Sequence, residues 1–318
     1  MSAPHGRRRP LVALATSREW PALAPDDRLI APALDRAGVD AEIAIWTDGR
    51  VDWGRFDLIL VRSCWDYHDD LPRWLAWMGA LEASGIGARL CNAPAVLRWN
   101  ARKTYLAQLH SLGVPVIPTR WLDGAALASP DALLATLNAS PWQEQVCKPA
   151  VSAGALATFR CARSRPEDTR AAVAAAWPEL LRRAPVLLQP FVPEVASAGE
   201  WSLLFFDGRL SHAVLKRPAL GDFRVQEKHG GSTASASPPP PLVAAAQTAL
   251  TTAARATGSG DPEAFLYARV DLVNASAGPL LVELELTEPA LFLAAGPETM
   301  EPPPVDLLSA AIVARLSA

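Results

Sequence analysis

Short apolar runs alternate with amphipathic stretches through the first third of the chain. Residues 11–16 (LVALAT), 41–46 (AEIAIW) and 58–63 (LILVRS) have the length and composition of strands. Between the first two, residues 26–37 carry a helical pattern stopped by Gly38. Residues 71–84, rich in Trp and Leu, carry another stopped by Gly85. Strands alternating with helices predict a small parallel α/β domain. Residues 95–112 (AVLRWNARKTYLAQLHSL) predict one amphipathic helix ended by Gly113, with Lys103 in its middle. The proline-bearing GVPVIPTRW that follows marks a domain boundary.

Further along, residues 131–138 read as a short helix. QVCKPAVSAGALATFR reads as a strand carrying Lys148, a small-residue loop at 152–155, and a second strand. Residues 167–183 are helical, and 186–194 (VLLQPFVPE) form a strand running into a proline bend. Residues 199–217 predict a hairpin with Asp207-Gly208 at the turn, a strong short-range signal. The long RPALGDFRVQEKHGGSTASASPPPP loop holds Arg217, Arg224, Lys228 and a Gly230-Gly231 pair. Loops of this length are functional or disordered. Its cations and glycine hinge suit a phosphate cover, and its SASPPPP portion reads as a disordered linker. A helix over 242–256 leads to two strands, YARVDLV and PLLVELELTEPALFLAAG, joined by a turn at 274–278, and a helix over 305–316 closes the chain.

Side chains alternate across a strand, so Glu283 and Glu285 share one face and Asp271 can meet them from the neighbouring strand. Three converging carboxylates repel unless a cation lies between them, and an all-oxygen set suits Mg²⁺. The alternative is an acidic edge that blunts aggregation. Lys148 inside an apolar strand is costly unless it meets an anion, and Ser152 and Gly154 beside it leave backbone N–H groups for phosphate oxygens. The third strand ends in Arg62-Ser63-Cys64-Trp65-Asp66-Tyr67-His68, where ligands gather in open α/β sheets. Arg62, Ser63, Trp65, Asp66 and Tyr67 thus form a candidate substrate wall, with Arg62 able to hold a carboxylate bidentately. The competing reading is a helix entry capped by Asp69 or Asp70.

Composition narrows the class. At 318 residues, half of them apolar, the chain has room for two or three domains with large cores. A net charge of −3 argues against nucleic acid or an anionic membrane as the main partner. The four cysteines lack C-x-x-C spacing and read as reduced, buried thiols of a cytoplasmic protein. The start, MSAPHGRRRP then LVALAT, imitates a signal peptide, but its six-residue apolar run is too short, so it reads as a polar tail entering a strand. The ATSREW segment has no glycine, which disfavours a dinucleotide-binding dehydrogenase. No Walker A pattern is present, and no nucleophilic triad emerges. His212 and His229 have no assigned role.

In order along residues 58–293 stand N-A-R-K (Lys103), K-P with its small-residue loop (Lys148), Q-P-F, G-E-x-S (Glu200), K-R-P and D-F-R…G-G, R-x-D, and E-x-E-x-x-E-P. The set resembles ATP-grasp ligases of the prokaryotic glutathione synthetase and RimK-like branch. RSCWDY and GDFRVQEKHGG resemble a subgroup that includes the ligase closing the D-cycloserine ring. The resemblance implies an α/β pre-ATP-grasp domain (1–118) followed by two α+β ATP-grasp subdomains, a central lid (119–187) and a C-terminal unit with the metal site (188–318). It implies ATP with Mg²⁺, two ions in most relatives and Mn²⁺ as an alternative. Lys103 and Lys148 would hold the α/β-phosphates; Gln189, Pro190, Phe191 and Val192 would line adenine; Glu200 would bind the ribose. Asp271, Glu283 and Glu285 would hold the metal, and Arg224, assisted by Lys216 or Arg217, the transferring phosphoryl group.

The implied reaction joins a small amino-acid-like carboxylate to an amine through an acyl phosphate; relatives are often homo-oligomers, and the sequence leaves the oligomeric state of this chain open. Two departures stand out: the family's usual Asn is Glu285, and the lid loop is poor in glycine. The alternatives are a RimK-like ligase modifying a protein terminus and a non-catalytic ATP-binding regulator.

Overall fold

The computed structural model describes residues 8–297 and 300–317. Most of the proposed polar tail, residues 1–7, lies outside the described residues. The first unit runs β1 (Leu11–Thr16), α1 (Ile30–Arg36), β2 (Asp40–Ile45), β3 (Leu58–Val61), α2 (Leu71–Ala83) and β4 (Leu90–Cys91). Its strands lie parallel in the order β2-β1-β3-β4. The Asp70 side chain accepts from Arg73 N and caps α2, as the helix-entry reading requires.

The predicted single helix over 95–112 is two helices, α3 (Pro94–Asn100) and α4 (Tyr105–Ser111). The break has a cause: Lys103 N donates to Ala150 O, a bond that a continuous helix would have spent internally. Lys103 therefore sits on a turn, aimed out of the helical path.

The second unit comprises β5 (Arg120–Leu122), α5 (Pro130–Asn138), β6 (Glu144–Pro149), β7 (Phe159–Ala162), α6 (Pro166–Arg182) and β8 (Val186–Pro190). The sheet is antiparallel in the order β5-β8-β6-β7, with Leu133, Leu137, Val173 and Leu180 of the helices in its core. The expected boundary after residue 187 cuts β8, which stays paired to β6 through Pro190. The proline bend forms a short helix, α7 (Pro193–Ser197).

The third unit holds β9 (Glu200–Phe206), β10 (Arg209–Arg217), β11 (Ser232–Ser235), α8 (Pro240–Ala256), β12 (Tyr267–Ala275) and β13 (Gly278–Glu285). They form an antiparallel sheet ordered β11-β10-β9-β12-β13. At the β9–β10 turn both Asp207 (φ 45°) and Gly208 (φ 71°) are left-handed, as a two-residue hairpin matching strand twist requires. A Cβ on Gly208 would also lie 2.9 Å from the backbone at Pro262 and Glu263. The expected SASPPPP linker is tied down at both ends: Ser235 pairs with Val214 of β10 and Ala236 N donates to Ala213 O, and the proline run opens α8, where Pro at the first helical turn costs nothing.

One face of this sheet (Leu203, Phe205, Ala268, Val270, Leu272, Leu284) packs on α4 and α8. The opposite face divides along the strands. Its lower part, Leu204, Phe206 and Tyr267, packs with β1, β3 and the last helix, α9 (Pro304–Ser317). Its upper part carries Glu200, Ser202, Lys216, Arg269, Asp271, Glu283 and Glu285. Asn92 ties the first and third units together: Nδ2 donates to Tyr267 O (2.9 Å) and Leu286 O (2.8 Å), and Oδ1 accepts from Leu266 N (2.7 Å). No helix among the described residues is long and apolar enough to cross a membrane. All four cysteines are buried and free.

Candidate active site

The polar part of the third sheet forms the floor of a cleft of about 580 Å³. The opposing wall comes from β6, the 152–158 loop and the Gln189–Val192 hinge. The loops after β1 and β3 close one end with Trp20 and Trp65, and the 223–228 segment covers another side.

The strand register brings the acids together. Asp271 pairs across the ladder with Glu283, and Arg269 with Glu285. One carboxylate oxygen from each of Asp271, Glu283 and Glu285 lies within 4.8 Å of the other two. This all-oxygen set fits a hard divalent cation. Protein cations surround it. Arg269 Nη2 reaches Asp271 Oδ2 at 3.0 Å and Glu285 Oε1 at 2.6 Å. Lys103 Nζ lies 2.9 Å from Glu283 Oε1 and also donates to Ser152 O at 2.8 Å. Lys216 Nζ reaches Glu200 Oε1 at 2.6 Å and Asp271 Oδ2 at 3.4 Å, and Ser202 Oγ donates to Asp271 Oδ1 at 2.6 Å.

These contacts separate the protonation behaviour of neighbouring acids. Burial pushes Asp271 up, but Arg269 and Lys216 outweigh it and hold the carboxyl at about 2. Burial likewise works against Lys103 and Lys148 at Glu283, and the two lysines win, lowering it. At Glu285 burial prevails over Arg269, and with Glu283 and Asp271 nearby the carboxyl is pushed up to about 7. Glu288 lies well above the usual carboxylate range, through burial and then Glu285. Burial lowers Lys148, with Glu283 opposing it.

Lys148 stands on β6 facing the acids across the cleft, with no carboxylate within ion-pair distance among the described residues. Ser152 and Gly154 line the cleft beside it. Gly154 has φ +56°, and a Cβ there would lie 2.6 Å from Lys228 Nζ, so this loop and the 223–228 segment meet over the cleft. Phe191 is held by the Arg160 guanidinium, 3.6 Å from its ring centroid, and by the edge of Phe223. Phe191 N already donates to Glu144 O, while Gln189 Nε2 donates to Thr119 Oγ1 at 2.9 Å. Arg224 lines the cleft, paired with Asp222 at 2.8 Å.

The cleft therefore gathers Lys103, Lys148, Ser152, Gly154, Gln189, Pro190, Phe191, Val192, Glu200, Lys216, Arg224, Asp271, Glu283 and Glu285, with Trp65, Asp66 and Tyr67 at the closed end. Three expected residues are elsewhere. Arg217 is exposed at the end of β10, outside the cleft lining. Arg62 and Ser63 are buried behind the wall and committed to Asp27: Arg62 Nη2 lies 2.9 Å from Asp27 Oδ1, and Ser63 Oγ donates to Asp27 Oδ2 at 2.7 Å. Arg62 Nη2 also donates to Pro289 O at 2.7 Å, so its guanidinium holds the chain and has no free edge for a ligand carboxylate. Asp27 lies beyond the reach of local patterning from Arg62, which is why the sequence pointed to a ligand.

The sequence reading carried Asn100, Arg269 and Glu288 inside N-A-R-K, R-x-D and E-x-E-x-x-E-P without giving them a role, and passed over Trp20. Arg269 was within reach, since it shares a strand face with Asp271 two residues on. Asn100 opens the N-A-R-K motif, but its partners lie far along the chain: its Nδ2 donates to Leu284 O (2.8 Å) and its Oδ1 accepts from Leu286 N (2.7 Å), fixing the backbone on either side of Glu285.

Residues 12–92 match the family described as the D-cycloserine synthetase DcsG N-terminal domain. The chain is 35% identical over 263 residues to the cycloserine biosynthesis protein DcsG of Streptomyces lavendulae, covering 80% of this chain and 84% of that one. The crystal structure of D-cycloserine synthetase DcsG superposes with a TM-score of 0.80 at 30% identity, covering 96% of this chain and 99% of that one. D-alanine–D-alanine ligase of Bacillus anthracis shares the fold, with a TM-score of 0.66 at 14% identity, covering 97% of this chain and 98% of that one.

Proposed function

The chain belongs to the DcsG family of ATP-grasp ligases, and from that premise we propose that it joins the carboxylate of a small amino-acid-like substrate to a nitrogen nucleophile. The protein is an ATP-dependent, C–N bond-forming ligase. The observation that carries the finer reading is the carboxylate cluster of β12 and β13 facing the unpaired Lys148 across one cleft. An anion-seeking and a cation-seeking group on opposite walls suit a metal-bound nucleotide phosphate between them.

In this reading a substrate carboxylate oxygen attacks the γ-phosphorus of ATP, and the bond to the β,γ-bridging oxygen breaks to release ADP. The nitrogen nucleophile then attacks the acyl carbon, the C–O bond to phosphate breaks, and one N–H proton leaves. Lys103 and Lys148 hold the nucleotide phosphates. The hinge at Gln189–Val192 receives adenine, and Phe191, braced by Arg160, sets its depth. Glu200 reaches the ribose from its pairing with Lys216. Arg224 offsets charge on the transferring phosphoryl group. Asp271, Glu283 and Glu285 would hold Mg²⁺, whose chemistry there is to neutralise phosphate charge. A cleft of about 580 Å³ that must also take the nucleotide suits a small substrate.

Calorimetric titration of a non-hydrolysable ATP analogue, with and without Mg²⁺, tests this. Wild type should bind in a Mg²⁺-dependent way and Lys148→Ala should lose that binding. Equal binding by the variant would remove Lys148 from the site, and no binding by wild type would end the nucleotide reading.

A further inference from the structure

The cleft takes part of its wall from the first unit, and one side chain of the second unit grips that part. The turn after β3 brings Trp65 through Asp69 into the cleft lining. Arg183 stands at the C-terminal end of α6 and is 4% exposed, although an arginine in that place can usually extend its charged head into water. Its guanidinium reaches the first unit instead. Nη2 lies 2.6 Å from Asp69 Oδ1, and Nη1 donates to His68 O and lies 3.0 Å from His68 Nδ1. Nε donates to Glu179 Oε2 at 2.8 Å, one turn back on α6, which sets the direction of the fork. Arg182 Nη1 adds a longer contact to Asp69 O at 3.5 Å.

Among the described residues, every side-chain hydrogen bond between residues 8–92 and 119–190 comes from Arg182 or Arg183. Val151 adds an apolar foothold in the first unit's core. A partly buried ion pair gains little net stability after desolvation, and its best-attested use is to fix one arrangement. A planar fork on two neighbouring acceptors fixes orientation as a lysine cannot. His68 must be neutral for Nδ1 to accept, and burial holds its ring below the ordinary imidazole range, with Asp69 opposing and Arg183 and Lys103 assisting. The grip is also wired to the nucleotide side of the cleft. Two residues beyond Arg183, Pro185 O accepts from Ala150 N, and Ala150 lies two residues beyond Lys148. A shift of the Lys148 strand is therefore passed through one backbone bond to Arg183 and on to the 65–69 turn.

We propose that Arg183 is a positioning residue that couples nucleotide binding, between the second and third units, to the order of the first unit's 65–69 turn. A nucleotide whose phosphates engage Lys148 favours the arrangement in which the second unit is seated, and the Arg183 contacts exist only in that arrangement, so binding at one end of the cleft sets the other. The inference rests on the nucleotide reading above and adds to it a defined link between the two ends.

The test is hydrogen exchange of the full chain read by mass spectrometry, with and without a non-hydrolysable ATP analogue and Mg²⁺. In wild type the analogue should slow exchange in 148–154 and 189–192, and also in 65–70, where the Tyr67 and Asp69 amides bond to Cys64 O and Asp66 O. The slowing at 65–70 should be about fivefold or more, the lower end of ordinary coupling between sites. Arg183→Met keeps the apolar stem and loses the fork. It should retain analogue binding and the response at 148–154 and 189–192, while 65–70 no longer responds. Arg183→Lys, which keeps a charge for Asp69, should recover part of that response. Asp69→Asn, at the exposed partner, should weaken it in the same direction and does not depend on Arg183→Met folding. A wild type that binds the analogue with 65–70 unchanged would overturn the coupling, and so would an Arg183→Met protein that keeps the response there. Loss of response in all three segments of Arg183→Met would make the arginine merely structural. In each of these cases analogue binding by wild type leaves the nucleotide reading standing; its absence removes both.

Discussion

Arg62→Ala separates the two roles that this arginine can be assigned. Arg62 is 0% exposed and Asp27 2% exposed. The guanidinium gives Asp27 Oδ1 two hydrogen bonds, from Nε at 3.0 Å and Nη2 at 2.9 Å, and donates to Pro289 O at 2.7 Å. It also lies 5.0 Å from the Tyr267 ring centroid. Removing one partner of a buried ion pair leaves the other uncompensated, at a cost of about 3–5 kcal/mol. The Pro289 carbonyl losing its donor adds about 1 kcal/mol or more. These contributions overlap, so we expect a destabilisation of about 4 kcal/mol, a large share of the roughly 5–15 kcal/mol available to a folded domain. Thermal melting should fall by roughly 10 °C, since each kcal/mol shifts the midpoint of a chain this size by about 2–4 °C. The assay pairs differential scanning calorimetry with ADP-release kinetics below the variant's melting range. Asp27→Ala should destabilise by a similar amount, and Arg62→Met with Asp27→Leu should recover much of the loss. An Arg62→Ala protein that melts within about 2 °C of wild type, with substrate KM raised tenfold or more, would refute the structural role and restore Arg62 as a ligand residue.

Three further outcomes follow from particular contacts. Arg224→Ala should lower kcat by about 10²–10³, as loss of one donor to the developing charge does, while analogue binding by calorimetry changes little. Asn100→Ala leaves Leu284 O and Leu286 N without their partners and should cost about 2–4 kcal/mol in chemical denaturation, with weakened metal dependence of ADP release because the Glu285 backbone loosens. Burial pushes Cys91 up to about 11 and Cys161 up to about 12, from an ordinary 9.0. Native protein at pH 8.5 should therefore react with an aromatic disulfide reagent far more slowly than denatured protein. Because these folded-state values are raised, the thiols' contribution to stability is present below pH 9 and lost as the pH rises through 11 to 12.

Much of the architecture was legible because it depends on near neighbours. The period-2 pattern of β12 and β13 placed Asp271, Glu283 and Glu285 on one face, and the two-residue ladder register delivered them together. The Asp207-Gly208 pair fixed a hairpin because only certain residues tolerate its left-handed backbone. Glycine and proline punctuation marked most helix ends. The ordered motifs pointed to the family without a coordinate.

What the fold alone decided concerns partners far apart in sequence. Lys103 left its helix because Ala150, forty-seven residues on, took its amide. Arg62 turned inward because Asp27 lies behind the wall, and Tyr267 Oη reaches Val61 O at 2.8 Å across units. Lys103 pairs with Glu283 and Arg269 with Glu285, a choice of partners that no linear pattern records. Periodicity says which face a side chain occupies, whereas its electrostatic partner depends on how separate sheets pack. The carboxylate cluster was thus written in the sequence, and the distinction between paired and unpaired charge emerged only once the three sheets closed around the cleft.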